Sequence, residues 1–195
     1  MKIGLASYRV ENKNTEFSIS QIEQAMIKAS ETADLLCFGE AVLQGFDSLC
    51  WNYENDKEMA VSTDSETMNR LKNLTKQYGI GIAFGYIEKD GEILYSSYAV
   101  IDAGNIVHNY RRISRGWKEF TRTDDHYREG NDTAEFSFRG RTIMVGYSAI
   151  CGIILKDLRL TAFLSGPCMS TSVLKTGTGK SLNMRSRLQA LQMMF

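Results

Sequence analysis

The chain opens with a short apolar run, Lys2 to Tyr8, closed off by polar residues, which is the pattern of a buried strand. From Ser18 to Ala33, Ile22, Met26, Ile27 and Ala29 recur at helical spacing, with Ser18 as the expected N-cap. Leu35-Leu36-Cys37-Phe38 is a second apolar run and ends at Gly39-Glu40. Strand, helix and strand in that order predict a parallel pair joined by a crossover helix.

Thr63-Asp64-Ser65-Glu66 fits a capping box, in which each end's side chain satisfies the other end's amide. The helix it predicts carries Met68, Leu71, Leu74 and Tyr78 and stops at Gly79. Four strands are expected after it: Ile80–Ile87, Ile93–Ile101, Ile106–Tyr110 and Thr142–Ser148. Asp90-Gly91 joins the first two with hairpin chemistry, because glycine takes the positive φ that a tight turn needs. Residues 111–131 are polar, charged and aromatic, and read as a long functional loop. From Ile153 onward the apolar periodicity weakens, and Ser170 to Ser181 is a Ser/Thr/Gly/Lys run without an evident element.

Composition narrows the function classes. A chain of 195 residues and 22.0 kDa, 43% hydrophobic and 24% charged, is one domain's worth of globular protein. Lys+Arg and Asp+Glu are both 23, which removes any broad electrostatic case for nucleic acid or an anionic membrane. The N-terminal apolar stretch, cut by Arg9 and Glu11, is too short for a signal peptide, and no run reaches the 18 or more residues of a membrane span. A cytoplasmic protein with no membrane partner is the expectation. Cys37, Cys50, Cys151 and Cys168 lack metal-ligand spacing, and the chain holds only two histidines, so neither a metal nor a cofactor is expected.

Two residues outside the predicted core carry chemistry. Cys151 follows the apolar run Ile143-Met144-Val145, which would hold its thiol at a sheet edge, and Glu40 follows Leu35–Phe38 in the same way. Taken singly, a free cysteine is most often a small buried hydrophobe and such a glutamate a solvated strand end. Asp124-Asp125-His126 with Glu129 reads as a solvated loop rather than a metal cluster. Gly177-Thr178-Gly179-Lys180-Ser181 echoes a phosphate loop, but the glycine that pattern demands five residues before Gly179 is Leu174.

Order and spacing alter that picture. Lys2-Ile3-Gly4-Leu5-Ala6, Leu36-Cys37-Phe38-Gly39-Glu40 with Gly45-Phe46, and Asn109-Tyr110-Arg111-Arg112-Ile113 occur in sequence. Gly116-Trp117-Lys118-Glu119, Tyr127-Arg128-Glu129-Gly130 and Val145-Gly146-Tyr147-Ser148-Ala149-Ile150-Cys151-Gly152 follow. Together they resemble the nitrilase, or carbon–nitrogen hydrolase, superfamily over residues 1–152. The resemblance implies an α/β fold, the αββα sandwich of that family, of which this chain would hold the first half. It also implies a hydrolase of a small amide or nitrile, with Glu40 as general base and Cys151 as nucleophile, and a homo-oligomer as the family's usual assembly.

The third catalytic position departs from the family pattern. Tyr-Arg-Lys is Tyr110-Arg111-Arg112 here, which puts an arginine fork where an ammonium is usual; Lys118 is the alternative cation. Glu119 falls where many relatives carry a second, supporting glutamate.

The pattern stops at Gly152, where the family's Cys-x-Asp becomes Cys151-Gly152-Ile153. A single G missing after the Gly152 codon would account for this. On reverse translation, Gly152-Ile153-Ile154-Leu155 can become Gly-Asp-Tyr-Phe, and the same shift turns the stretch from Leu164 to Thr171 into Val-Trp-Pro-Met-Tyr-Val-Asn. Residues 153–195 are therefore expected to be an out-of-frame tail, poorly packed beyond a short helix near Cys151. The competing reading is a non-catalytic remnant or interaction module of the same fold.

Overall fold

The computed structural model describes residues 1–131, 135–147, 150–155 and 160–165. The chain divides into two compact units, Met1–Thr133 and Ala134–Phe195. The Ser170–Ser181 run and the phosphate-loop echo lie outside the described residues.

The first unit is built on a five-stranded sheet in the order β1 (Ile3–Leu5), β2 (Leu35–Cys37), β3 (Gly81–Asp90), β4 (Ile93–Asp102), β5 (Asn105–Arg111). β1, β2 and β3 run parallel, as their helical crossovers require, while β3, β4 and β5 form an antiparallel meander. The β3–β4 turn is Gly91-Glu92, and Gly91 takes φ +58° as its place in the turn demands. Helices α1 (Thr15–Ala29) and α3 (Glu66–Tyr78) lie on one face, and a shorter α2 spans Tyr53–Met59. Their apolar stripes, Ile19, Ile22 and Met26 with Met68 and Leu71, meet Ile82, Phe84, Tyr86, Ala99 and Ile101 of the sheet in one core.

Both helix starts differ from the sequence expectation. The cap of α1 is Asn14, whose side chain accepts from the Phe17 amide at 3.0 Å, and Ser18 is buried inside the helix. An Asn with room to reach forward displaces a Ser whose position faces the core. For α3 the cap is Ser65, not Thr63; its hydroxyl accepts from the Met68 amide, which makes Glu66 the first helical residue rather than the third. At the other end Gly79 closes α3 at φ +65°, as expected.

The second unit is a four-stranded antiparallel sheet: β6 (Glu135–Phe138), β7 (Arg141–Tyr147), β8 (Ile150–Leu155) and β9 (Leu160–Ser165). The expected short helix near Cys151 is therefore corrected to strand, in keeping with the β-branched Ile150, Ile153 and Ile154. Cys151 also lies within β8, opposite Tyr147, rather than just past a strand. Among the described residues no helix is long and apolar enough to cross a membrane.

The helix-cap assignment has a measurable consequence. Asn14→Ala should lower the free energy of urea unfolding by about 1 kcal/mol. Ser18→Ala, which removes a buried hydroxyl without a hydrogen-bond partner, should leave it unchanged or raise it.

Candidate active site

Glu40 stands just past the end of β2 on a loop laid across β3. The Phe38 amide donates to the Ala83 carbonyl (2.7 Å) and the Gly85 amide to the Gly39 carbonyl (3.1 Å). On the other side of Glu40, the Leu43 amide donates to the Gly85 carbonyl (3.4 Å). Buried Tyr98 secures the start of the loop by donating its hydroxyl to the Phe38 carbonyl at 2.7 Å. Ala41 takes φ +52°, a left-handed backbone that costs a non-glycine residue energy and that the surrounding bonds must hold in place.

Arg112 arrives from the meander. Its amide donates to the Ser96 carbonyl (2.8 Å), which continues the ladder one residue beyond β5. Its guanidinium reaches Glu40, Nη1 to Oε1 at 2.6 Å, while Nε donates to the Ser114 hydroxyl at 2.7 Å. The Arg112 side chain is 9% exposed and that of Glu40 15%, so this is a largely desolvated ion pair.

Successive residues of a strand face opposite ways, and the neighbouring arginine accordingly serves the other face. Arg111 donates through Nε (3.1 Å) and Nη2 (2.7 Å) to Glu88, which also accepts from Ser97 and Asn109 and is 2% exposed. A polar hollow of about 610 Å³ opens there, between Glu88, Arg111 and the loop at Ser62–Asp64. Arg111 pairs there with both Glu88 and Asp90, on the face away from Glu40.

Burial pushes the Glu40 carboxyl above the ordinary carboxylate range, and the Arg112 charge and hydrogen bond pull it back only in part. Folded Glu40 thus keeps its proton to higher pH than the unfolded chain would. The stability this group contributes is complete below the unfolded value and is lost as pH rises through the folded one.

Lys118 and Glu119, the other candidates of the first unit, have other partners. Lys118 is committed elsewhere: Nζ donates to the Tyr127 carbonyl at 2.7 Å and pairs with Glu129 at 3.0 Å. Glu119 is exposed, and its backbone carbonyl accepts from the Arg122 and Thr123 amides. Cys151 belongs to the second unit, in β8. No sequence pattern marks Glu129 as the partner of Lys118, or Tyr98 and Gln44 as anchors of the Glu40 loop. For Glu88 as the partner of Arg111, only the Tyr-Arg-Arg run and its spacing from Glu88 along a hairpin hold a signal.

A profile of the family described as carbon-nitrogen hydrolase matches residues 5–164, past Gly152 and over most of the chain. The protein belongs to the carbon–nitrogen hydrolase family. It is 33% identical over 129 residues to an aliphatic nitrilase of Rhodococcus rhodochrous, covering 60% of this chain and 31% of that protein. A nitrilase of Talaromyces marneffei is 31% identical over 109 residues, 49% of this chain and 32% of its own length. The chain therefore spans about a third of the length of the curated relatives it matches. Among solved structures, an amidase from Nesterenkonia sp. superposes with a TM-score of 0.58 at 19% identity, over 73% of this chain and 53% of its own. The fold is thus the nitrilase type. In a glutamate-to-glutamine mutant of the amidase from Nesterenkonia sp. AN1, the active-site cysteine carries acrylamide by Michael addition or the acetamide moiety of fluoroacetamide.

If Arg112 holds the Glu40 charge, Arg112→Met should raise the Glu40 pKa further, because the anion loses the Arg112 counter-charge while staying largely desolvated. Lys118→Met should leave it where it is. Side-chain carboxyl ¹³C titration by NMR, with Glu40→Gln to assign the signal, reads both.

Proposed function

We propose that the protein hydrolyses a non-peptide carbon–nitrogen bond in a small amide or nitrile, with Cys151 as nucleophile, Glu40 as general base and Arg112 as the cation. The observation that carries this reading is the largely desolvated Glu40–Arg112 pair, held at 2.6 Å in a chain of the carbon–nitrogen hydrolase family. The covalent chemistry of the Nesterenkonia amidase at its cysteine supports the role of Cys151.

On this reading ionised Glu40 takes the Cys151 proton, and the thiolate attacks the amide carbon. Proton transfer neutralises Glu40 at the moment negative charge develops on the substrate oxygen. With Glu40 neutral, the positive charge of the Arg112 guanidinium stabilises that oxygen. The carbon–nitrogen bond breaks as protonated Glu40 returns its proton to the leaving nitrogen, releasing ammonia or an amine and leaving a thioester. Water, deprotonated by Glu40, cleaves the thioester to the acid and restores the thiol. A base whose pKa burial has raised above that of an ordinary carboxylate is the better proton acceptor for both steps.

Arg112 is preferred over Lys118 because it already contacts Glu40, whereas Lys118 is held by Tyr127 and Glu129. Ammonia release from a panel of small amides and nitriles tests the assignment. Arg112→Met should lower kcat by about 10²- to 10³-fold, the scale for losing one oxyanion stabiliser. Lys118→Met should cost far less, and Cys151→Ala should abolish turnover. Equal, mild losses at Arg112 and Lys118 would overturn the choice. At neutral pH Cys151 should also label with a thiol reagent faster than buried Cys37, and Glu40→Gln should slow it.

We further propose that residues 153–195 are read out of frame after Gly152. Inserting one G after that codon should yield a more active hydrolase. An intact frame for this tail in the DNA of close relatives would refute the slip.

A further inference from the structure

β2 holds three residues and its neighbour β3 ten, so the edge of β3 beyond Ala83 has no strand beside it. Its main-chain groups are nonetheless satisfied. The Gly85 amide and carbonyl pair with Gly39 and Leu43 of the loop that carries Glu40. At Ile87 the amide donates to Gln44 Oε1 and the carbonyl accepts from Gln44 Nε2, both at 2.9 Å. The same carbonyl accepts from the Val61 amide at 3.0 Å, in a single bridge beside the strand. Gln44 is fully buried, and its side-chain amide satisfies the Ile87 amide as a neighbouring strand would have done.

This seating has no slack at Gly85. A Cβ built there would stand 2.6 Å from the Ala41 nitrogen and 2.8 Å from the Glu40 Cα, both main-chain atoms. No rotamer change relieves such a contact. Any side chain at residue 85 must lift the main chain of Glu40 itself, next to a residue already in left-handed backbone at Ala41.

We propose that Gly85 and Gln44 are positioning residues that set where Glu40 stands against Arg112, Gly85 by admitting the loop and Gln44 by holding it down. The catalytic consequence rests on the function proposed above; the positioning does not. The test is therefore a titration rather than a rate. The shift in Glu40 pKa caused by Arg112→Met is measured by carboxyl NMR in three backgrounds: wild type, Gly85→Ala and Gln44→Met.

A displaced loop uncouples the pair, so the shift caused by Arg112→Met should shrink in both backgrounds, in the manner of a double-mutant cycle. This holds whether displacement also exposes Glu40, because water entering the site screens the pair and shrinks the shift in the same direction. A shift of wild-type size in the folded variants would overturn the proposal, since residues that merely support the fold would lower stability and leave the coupling intact. Should Gly85→Ala fail to fold, Gln44→Met alone decides, as it keeps side-chain length and introduces no clash. If Glu40→Gln hydrolyses substrate at the wild-type rate, the catalytic reading falls while the titrations still judge the positioning.

Discussion

Residues 72 apart in sequence meet in the bond from Arg112 to Glu40, and the geometry of the first unit is organised around that meeting. Glu40 belongs to the parallel side of the sheet and Arg112 to the antiparallel meander. Both must be in register with β3 for the charges to touch. Taking two charges out of water is expensive, and the attraction between them often no more than offsets that cost. Such a pair is poor evidence of a device for stability. It is better understood as a charge arrangement the fold supports at a cost elsewhere, in strain at Ala41 and in a carboxyl kept less acidic than it would be in water.

Much of this was legible in the sequence. Apolar spacing marked β1 to β5, α1, α3 and β7, and the glycine at 79 marked a helix end because only a residue without Cβ rests easily in that conformation. Glu40 and Arg112 were visible as candidates through the resemblance of the surrounding motif pieces to the family's, but the sequence left Arg112 and Lys118 both open as the cation. The helix caps were misplaced because Asn14, Ser18, Thr63 and Ser65 all have capping side chains, and which one caps depends on where the core pulls the helix. That is tertiary information.

What the sequence concealed was the set of side chains that act as substitutes for backbone. Gln44 has no helical or strand periodicity to distinguish it from a loop glutamine, yet it completes a sheet edge. Lys118 looked like an available ammonium until Glu129 and the Tyr127 carbonyl were seen to hold it. In each case the deciding fact is a partner far along the chain, and hydropathy patterns carry no record of partners. The strand at Ile150–Leu155 was hidden for another reason: short apolar runs are ambiguous between helix and strand until something pairs with them.

The two adjacent arginines raise a question of register. A strand that slips by one residue exchanges its faces, and for most sequences this puts the wrong chemistry toward the partner. Here a slipped β5 would still offer Glu40 a guanidinium, that of Arg111 in place of Arg112, so the ion pair by itself cannot distinguish the correct alignment from its neighbour. Discrimination falls to the opposite face. There Glu88 is enclosed by Ser97, Asn109 and Arg111, and the same slip would present it with Tyr110 in place of Arg111 and strand the Asn109 amide. A buried carboxylate on the far side of the sheet thus keeps the strand in phase.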